Sequence, residues 1–278
     1  MKTKLAAIVV TYQPDIGEVT RNIASFCDHT DLLMLWDNSC PPINLNAIKN
    51  LSPNIIIHQD ATNKGLPAAY NWAIQVSTQN GCTHLMTMDQ DSTFENFKEY
   101  RHQVDLFNDL TVGIFSCPIN NDISQPGFRE TTVCQSGSIY TIDMLQHIGG
   151  FRDDLFIGMV DAEICLRALE KKYKIYQITG CNLIQRIGSN REVNFLCHPV
   201  TVSDYNPLRH YYDSRNRILL WHEFPYDFRL KHKILHFYSR VKLMVKITFF
   251  EHNKIAKIKA ILTGTWYGLR NRTKPFIS

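Results

Sequence analysis

Two carboxylates, two residues apart, stand where an apolar run of the sequence ends. Asp89 and Asp91 belong to the tetrapeptide Asp89-Gln90-Asp91-Ser92, which follows residues 83–88. Carboxylate oxygens are hard ligands, and Mg²⁺ and Mn²⁺ are commonly held by one or two carboxylates together with phosphate oxygens. The spacing therefore suits a divalent cation carried by a diphosphate. Taken alone, an Asp-x-Asp pattern is equally typical of a solvated turn.

The elements that would position these carboxylates alternate along the first 91 residues. Continuous apolar runs rich in β-branched residues predict buried strands at 5–10, 32–36, 54–58 and 85–88. Helical patterns separate these runs at 15–29, 43–51 and 66–79. Strands that alternate with helices in this way predict a parallel, doubly wound sheet.

Polar side chains follow each of the four predicted strands. The four clusters are Thr11-Tyr12, Asp37-Asn38-Ser39, Asn63-Lys64-Gly65 and Asp89-Gln90-Asp91. Ligands of such sheets bind beyond the carboxyl ends of the strands, so we expect the clusters to converge on one crevice. Any one of them alone is also consistent with ordinary turn chemistry. No G-x-G-x-x-G follows the first strand, which argues against a dehydrogenase-type dinucleotide site.

The middle of the chain is less regular. The patterns predict strands at 113–116, 133–141 and 173–179 and a short helix at 144–148. A second helix is predicted from about Asp161, which would lie in its first turn, where the helix dipole favours a carboxylate. Asp161 could thus be a helix N-cap, or it could do chemistry.

Taken in order, these segments resemble the family 2 glycosyltransferases with the GT-A fold, and most of all their rhamnosyltransferase branch. The Gln between the two acidic residues, followed by Ser, points to that branch. The matching segments span residues 5 to about 190 and are Val9-Val10-Thr11-Tyr12-x-Pro14, Asp37-Asn38-Ser39, Asn63-x-Gly65 with Ala68 and Asn71, Asp89-Gln90-Asp91-Ser92, Gly149-Gly150-Phe151 and Val160-Asp161-x-Glu163-x-Cys165-Leu166-Arg167. The resemblance implies an α/β fold with a mostly parallel, Rossmann-like sheet flanked by helices.

The resemblance also implies contacts with a nucleotide-sugar donor. Thr11 and Tyr12 would border the nucleotide, while Asp37, with Asn38 beside it, would hydrogen-bond the base. Lys64 and Gly65 would lie near the ribose and the diphosphate.

Three carboxylates are implied to have separate roles. Asp89 would face the ribose or the sugar, and Asp91 would ligate Mn²⁺ or Mg²⁺. Asp161 aligns with the acidic residue proposed as catalytic base in this family. An inverting transfer needs a base that takes the proton of the acceptor hydroxyl, and a cation stabilises the charge that gathers on the departing diphosphate.

One position departs from the family pattern. Family members usually carry His, often a metal ligand, where this chain has Gln185 in Leu183-Ile184-Gln185-Arg186-Ile187-Gly188. Gln is a poor metal ligand beside His. Asp91 and the diphosphate would then hold the metal alone, or His198 or His210 would substitute, or metal dependence would be weak.

The segment 207–217 also resembles a stretch common in the rhamnosyl branch. Arg209 and Arg215 could meet donor phosphates or a pyrophosphate-linked acceptor. Tyr211 and Tyr212 fit that role, and they equally fit an amphipathic helix that packs its tyrosines on the core.

The C-terminal region is strongly basic. Residues 229–274 contain twelve Lys or Arg and one acid, Glu251, which gives a charge of +11, whereas the remainder, with 18 basic and 25 acidic residues, carries −7. We expect two helices over 228–262, and we divide the chain into a GT-A domain at 1–200 and a helical region at 201–278. The apolar face expected among the basic residues consists of Leu230, Ile234, Leu235, Phe237, Val241, Met244, Val245, Ile247 and Phe249.

This basic region predicts an anionic membrane surface as a partner, because apolar and basic side chains on one helix are typical of interfacial helices. A helical subdomain or a dimer interface is the rival interpretation. Nucleic-acid binding is not expected, since no nucleic-acid motif accompanies the basic helices.

Composition agrees with an intracellular protein. The 278 residues, 44% of them hydrophobic, suffice for one large α/β domain with an appendage or for two small domains. Eight scattered cysteines without a C-x-x-C pair predict reduced, mostly buried thiols of a cytoplasmic protein. The short apolar run at the N-terminus meets Thr11-Tyr12-Gln13-Pro14, which favours a strand over a signal peptide.

The sequence thus predicts an inverting, metal-assisted glycosyltransferase. Its donor would be dTDP-rhamnose and its acceptor a saccharide or lipid-linked saccharide of a surface polysaccharide. A transferase that uses another UDP- or GDP-sugar and a non-catalytic protein that binds nucleotide sugars are alternatives. A nucleotidyltransferase would normally show a Gly-rich, Arg- or Lys-containing loop after the first strand, and this chain has none.

Overall fold

The computed structural model describes residues 3–51, 55–120, 125–134, 136–185, 191–195 and 198–276. The chain divides into two compact units. The first contains Met1–Asp153 and Val160–Gln185, and the second contains Asp154–Met159 and Arg186–Ser278. The division into domains at residue 200 stays a prediction from the sequence.

Eight described strands of the first unit form one sheet, in the order β3-β2-β1-β4-β8-β6-β9-β7. The strands are β1 (Leu5–Thr11), β2 (Leu32–Asp37), β3 (Ile55–Gln59), β4 (His84–Asp89), β6 (Val112–Ser116), β7 (Gly127–Thr131), β8 (Ile139–Thr141) and β9 (Lys174–Thr179). A separate antiparallel pair is formed by β5 (Ser92–Glu95) and β10 (Asn182–Gln185).

The sheet is mostly parallel, as the alternating pattern predicted. β1 pairs in parallel with β2 and β4, β2 with β3, and β6 with β9. The short β8 runs antiparallel to β4 and β6, and β7 runs antiparallel to β9. Parallel pairing is therefore confirmed for β1, β2, β3 and β4, whereas the rest of the sheet is mixed. The sequence did not reveal this because an apolar run does not encode strand direction.

The strand expected at 133–141 is shorter than predicted. Among the described residues of that range, Ile139–Thr141 alone form a strand, and Gly137 before it adopts a left-handed conformation with φ +79°. A Cβ atom on Gly137 would stand 2.8 Å from the ring of Phe94, so the backbone approaches this ring closely.

Helices pack on the sheet of the first unit. They are α1 (Ile16–Ala24), α2 (Asn46–Lys49), α3 (Gly65–Gln79), α4 (Phe97–Leu106), α5 (Ile142–Ile148) and α6 (Val160–Glu170). The buried face of α1 and the aromatic side chains Phe26, Phe94, Phe97 and Tyr100 join the strands in one apolar core. This core fixes the strands whose carboxyl ends carry the polar clusters.

The second unit is mainly helical. It contains α7 (Pro207–Glu223), α8 (Leu230–Phe250), α9 (Lys254–Leu269) and a hairpin of β11 (Arg191–Phe195) and β12 (His198–Val202). The two helices expected over 228–262 are confirmed, and the second runs on to Leu269. Close packing of α9 on α7 relies on glycine: a Cβ atom on Gly268 would lie 2.8 Å from the carbonyl oxygen of Arg215. In the described part of the chain, no helix combines the length and the apolarity needed to span a bilayer.

Candidate active site

The carboxyl ends of β1 and β2 are joined by a buried carboxylate. Asp37 is fully buried and accepts hydrogen bonds from Thr11 Oγ1 (3.1 Å), the backbone N–H of Ser39 (3.0 Å) and Gln59 Nε2 (3.1 Å). Thr11 is also fully buried. In this arrangement Asp37 organises the loop, and its predicted contact with a base, which would require these bonds to rearrange, stays a prediction.

Asn38 connects the end of β2 to the start of α3. Its side-chain oxygen accepts from Trp36 Nε1 (2.9 Å) and from the backbone N–H of Lys64 (3.0 Å). Its side-chain nitrogen donates to the carbonyl of Gly65 (3.2 Å). Gly65 has φ +82°, a conformation that glycine adopts without steric cost. Asn38 thus fixes the N-terminus of α3, a place where backbone N–H groups favour an anion.

Tyr12, one of the predicted nucleotide-binding residues, is exposed, with 46% of its surface accessible. Its backbone is bound by Gln90, whose side-chain oxygen accepts from the Tyr12 N–H (2.7 Å) and whose nitrogen donates to the Tyr12 carbonyl (3.3 Å). The carbonyl of Gln90 accepts in turn from Asn22 Nδ2 (2.8 Å). The Gln between the two aspartates therefore connects the loops that follow β1 and β4.

Asp89 and Asp91 lie together at the end of β4, both partly accessible. The backbone N–H of Asp89 donates to Ser136 Oγ (3.0 Å), and Ser92 Oγ donates to Asp91 Oδ1 (3.5 Å). Two accessible carboxylates at a strand end are hard oxygen donors of the kind that Mg²⁺ and Mn²⁺ use with phosphate oxygens. The residues present therefore fit such a cation.

Gln185 adds a contact that the sequence did not reveal. Its Nε2 donates to Asp89 Oδ2 at 2.7 Å. The Gln185 backbone is held by Asn120, which accepts from its N–H (3.0 Å) and donates to its carbonyl (2.9 Å). Among the described residues, no three His, Cys, Asp or Glu side chains are grouped so that they could hold a metal ion. Gln185 thus orients one carboxylate of the site where family members carry a ligand.

Asp161 lies in the first turn of α6, as expected, and its side chain is half-buried. Burial raises the pKa of Asp161 to about 7, and the negative charge of Asp89 contributes to the shift. A carboxylate with a pKa close to neutrality takes up a proton far more readily than an ordinary aspartate. Asp161 is therefore a candidate base whose protonation responds to the charge of Asp89 at the end of β4.

The loop that leads to Asp161 is held by Asn71 of α3. The Asn71 side chain donates to the carbonyl of Phe151 (2.8 Å) and to Asp153 Oδ1 (2.9 Å), and it accepts from the Phe151 N–H (2.8 Å). A Cβ atom on Gly150, which has φ +74°, would lie 2.6 Å from Asn71 Oδ1. These contacts explain why Asn71 and the Gly149-Gly150-Phe151 motif occur together.

An ion pair stabilises the same loop from α6. Arg167 Nε donates to Glu163 Oε1 (2.5 Å), and its other nitrogens donate to the carbonyls of Ile148 (2.6 Å) and Gly150 (2.7 Å). Glu163 is buried, so this ion pair lies in the interior of the first unit.

Tyr70 is a further buried group near these carboxylates, and no motif pointed to it. Burial raises the pKa of Tyr70 well above its usual value, and the charges of Asp89 and Asp161 add to the shift. The hydroxyl hydrogen-bonds Thr87, and the ring packs on Phe151 at 4.9 Å between centroids. Tyr70 is one of the buried residues of α3, and its place in the sequence does not indicate that it lies near these carboxylates.

The remaining predicted residues belong to the second unit. Arg215 is fully buried and donates to the carbonyls of Lys274 (2.6 Å) and Asp154 and to Asn216 Oδ1 (2.9 Å). These partners give Arg215 a structural role that the sequence did not reveal, and its contact with a donor stays a prediction. His210 is buried, which lowers its pKa to about 4. The side chain of His198 lies outside the described residues.

The chain is similar over its whole length to one curated protein. It is 23% identical over 299 residues to the dTDP-rhamnosyl transferase RfbF of Shigella flexneri, and the match covers 98% of both chains. No family model matches the chain.

Three solved structures share the fold. A mannosyltransferase of Pyrobaculum calidifontis, PcManGT, in complex with GDP-Man and Mn²⁺, matches with a TM-score of 0.59 at 12% identity, over 97% of this chain and 76% of that one. GalNAc-T7 with UDP, GalNAc and Mn²⁺ matches with a TM-score of 0.53 at 11% identity (66% and 44%). TarS of S. aureus matches with a TM-score of 0.53 at 16% identity (78% and 39%). The α/β fold class and the resemblance to rhamnosyltransferases of family 2 are thereby confirmed.

Proposed function

We propose that this chain transfers rhamnose from dTDP-rhamnose to a saccharide or lipid-linked saccharide, with inversion at the anomeric carbon. The chain is a glycosyltransferase with the GT-A fold, and it resembles the rhamnosyltransferases of family 2. The whole-length similarity to a dTDP-rhamnosyl transferase supports the choice of donor. The observation that carries the mechanism is the position of Asp161, a carboxylate with a pKa of about 7 near Asp89.

The donor would lie across the carboxyl ends of β1, β2 and β4. The exposed ring of Tyr12 offers a face to the base. The positive end of the helix dipole at the N-terminus of α3 would face the diphosphate, and the exposed Lys64, 4.0 Å from Asp60 Oδ2, adds a positive charge. The Gly65 N–H donates to Asn63 Oδ1 (2.8 Å), so the dipole and Lys64 carry this contact. These groups recognise features shared by nucleotide sugars, so they do not exclude a UDP- or GDP-sugar.

Asp91, with Asp89 beside it, would hold Mn²⁺ or Mg²⁺. Two of the similar structures contain Mn²⁺, which supports the use of a divalent cation. When bound, the cation supplies Lewis-acid stabilisation of the charge on the leaving diphosphate. Because Gln185 replaces the usual His and binds Asp89, the diphosphate itself would complete the set of ligands.

Asp161 would accept the proton of the acceptor hydroxyl as that oxygen attacks the anomeric carbon on the face opposite the leaving group. The half-buried position of its carboxylate keeps the pKa of Asp161 near 7, so the base is about half ionised at neutral pH and mostly ionised at alkaline pH. Asn71, Arg167 and Glu163 hold the preceding loop and the helix, and thereby fix where Asp161 stands.

The product would enter surface polysaccharide biosynthesis on the cytoplasmic side of the cell membrane, with the enzyme peripheral to the bilayer. An acceptor carried on a lipid would be reached from that side.

The test is a panel of dTDP-, UDP- and GDP-sugars with and without Mn²⁺, with release of nucleoside diphosphate as the readout. We expect turnover with dTDP-rhamnose, and an anomeric configuration of the product opposite to that of the donor by NMR. Tight donor binding without transfer or hydrolysis would instead identify a non-catalytic nucleotide-sugar-binding protein. Turnover with another donor alone would overturn the assignment of rhamnose.

A further inference from the structure

Helix α8 exposes most of its large apolar side chains. Several of its polar side chains instead contact the rest of the second unit: Arg240 pairs with Asp213 (2.6 Å), Lys246 Nζ donates to the carbonyl of Thr201 (3.0 Å), and His236 is buried, as is Ile247. A helix normally buries its apolar face, so this exposure requires a reason.

Six of the exposed apolar residues form one stripe. At about 100° per residue they fall within roughly one third of the helix circumference, over a length of about 30 Å. Each is 43% to 72% exposed. The stripe of α8 consists of Leu230, Ile234, Phe237, Val241, Val245 and Phe249. Contiguous exposed apolar surfaces of this kind mark sites of contact with a partner or a membrane.

Basic residues flank the stripe on both sides. By the same helical geometry, the exposed Lys231 and Lys242 lie along one edge, and Lys233 lies near the other. The sequence of α8 contains no Asp or Glu. The single acid of residues 229–274, Glu251, is buried and its Oε2 is 2.9 Å from Lys257 Nζ, so it does not offset the outward charge.

An apolar stripe with basic residues along its edges favours an anionic bilayer over a second copy of the chain as the partner that covers it. A second copy of the chain would bring its own lysines against Lys231 and Lys242, and like charges at an interface oppose association. An anionic bilayer instead offers acyl chains to the stripe and phosphate headgroups to the lysines along its edges.

We propose that the stripe of α8 docks the protein on an anionic lipid bilayer, with the helix axis parallel to the membrane plane. The stripe would be the surface on which the membrane of the proposed function contacts the protein. The docking site rests on the proposed function only in assuming a lipid-linked acceptor. Lipid binding and sugar transfer are measured separately, so that failure of one does not imply failure of the other.

The test is co-sedimentation of the full chain with vesicles of phosphatidylglycerol and phosphatidylethanolamine, compared with vesicles of phosphatidylcholine. We expect binding to the anionic vesicles that weakens as salt is raised, because exposed charges are screened. Ile234→Asp with Val241→Asp should reduce the fraction bound by about tenfold or more, since two apolar contacts are lost and two repulsive charges are added. Lys231→Ala should reduce affinity by about fivefold.

The matched control places the same charges elsewhere. Leu106→Asp with Leu110→Asp alters two apolar residues of the first unit that are 60% and 94% exposed, and it should leave lipid binding unchanged. Circular dichroism confirms that each variant is folded. Equal binding of the α8 variant and the parent would overturn the proposal, and so would equal binding to both kinds of vesicle. A parent dimer that the α8 variant converts to a monomer, without lipid binding by either, would assign the stripe to a second copy instead.

The enzymatic arm keeps the two hypotheses apart. The α8 variant should retain donor turnover with a soluble acceptor, because none of its altered residues belongs to the candidate active site. Lost lipid binding with retained turnover supports the docking role. Turnover that is absent from parent and variant alike, with lipid binding intact in the parent, would overturn the proposed function and leave the docking surface standing.

Discussion

The side-chain amide of Gln185 lies 2.7 Å from Oδ2 of Asp89, so that a strand on one side of the site orients a carboxylate at the end of another. Gln185 occupies the position at which family members carry a His that often ligates the metal. In this chain the same position donates a hydrogen bond instead. In the proposed mechanism this hydrogen bond to Asp89 takes the place of a metal ligand, which would leave the cation more dependent on the diphosphate.

Restoring an imidazole at this position should strengthen metal binding. We expect Gln185→His to lower the Mn²⁺ dissociation constant, measured by calorimetry in the presence of dTDP, by about tenfold, because imidazole is the better ligand. Ile184→His is the matched control, since adjacent residues of a strand point to opposite faces. Equal gains in the two variants would argue against a metal site at Asp89 and Asp91.

Removing the charge of Asp161 should separate binding from chemistry. Asp161→Asn should lower kcat by a factor of about 10² to 10⁴, because the acceptor hydroxyl loses its base. The donor dissociation constant should change by less than about threefold. Asp143→Asn, at an exposed acidic residue in the first turn of α5, controls for loss of a negative charge. If transfer persists in the Asp161 variant, another group is the base.

The raised pKa of Asp161 predicts two pH dependences. Transfer should rise as pH increases through about 7, where the base becomes ionised. For stability, the folded chain binds this proton more tightly than the unfolded chain does, so the contribution of Asp161 to stability falls as pH rises from about 4 to about 7. Asp161→Asn should therefore be more stable than the parent at pH 8, by on the order of 1 kcal/mol for a half-buried group.

Thermal melts at pH 5 and pH 8 check the second dependence. The difference in Tm between variant and parent should grow from the lower to the higher pH. A difference that is the same at both values would show that the carboxylate titrates in its ordinary range.

A substitution of Arg215 can distinguish a structural role of this residue from a contact with the donor. Arg215→Lys keeps the charge but cannot reproduce the bonds to Asn216 and to the carbonyls of Asp154 and Lys274. We expect a loss of about 3 kcal/mol in the free energy of unfolding, because buried acceptors are left unpaired. Arg209→Lys, at an exposed residue of the same helix, should be nearly neutral. A weaker donor affinity of Arg215→Lys at unchanged stability would favour the donor contact predicted from the sequence.

Much of the fold could be predicted because periodicity and strand-end chemistry are local. The apolar runs located β1, β2, β3 and β4, and the polar residues after them located one edge of the sheet. The strand β5 and the helix α4 were missed, since residues 92–106 mix aromatic and charged side chains without a clean period. The antiparallel direction of β8 could not be predicted from the sequence either, because an antiparallel strand and a parallel one have the same composition.

The sequence by itself determined which residue types could do the chemistry: two carboxylates after β4, a third at the start of α6, and a basic tail with an apolar face. Their order along the chain also determined the resemblance to glycosyltransferases. Only the tertiary structure decided the environment of each group. It buried Asp37, placed Gln185 on Asp89, surrounded Arg215 with carbonyls and turned the apolar residues of α8 outward. Burial and pairing depend on residues distant in the sequence, so a local pattern names the groups but does not fix their protonation or their partners.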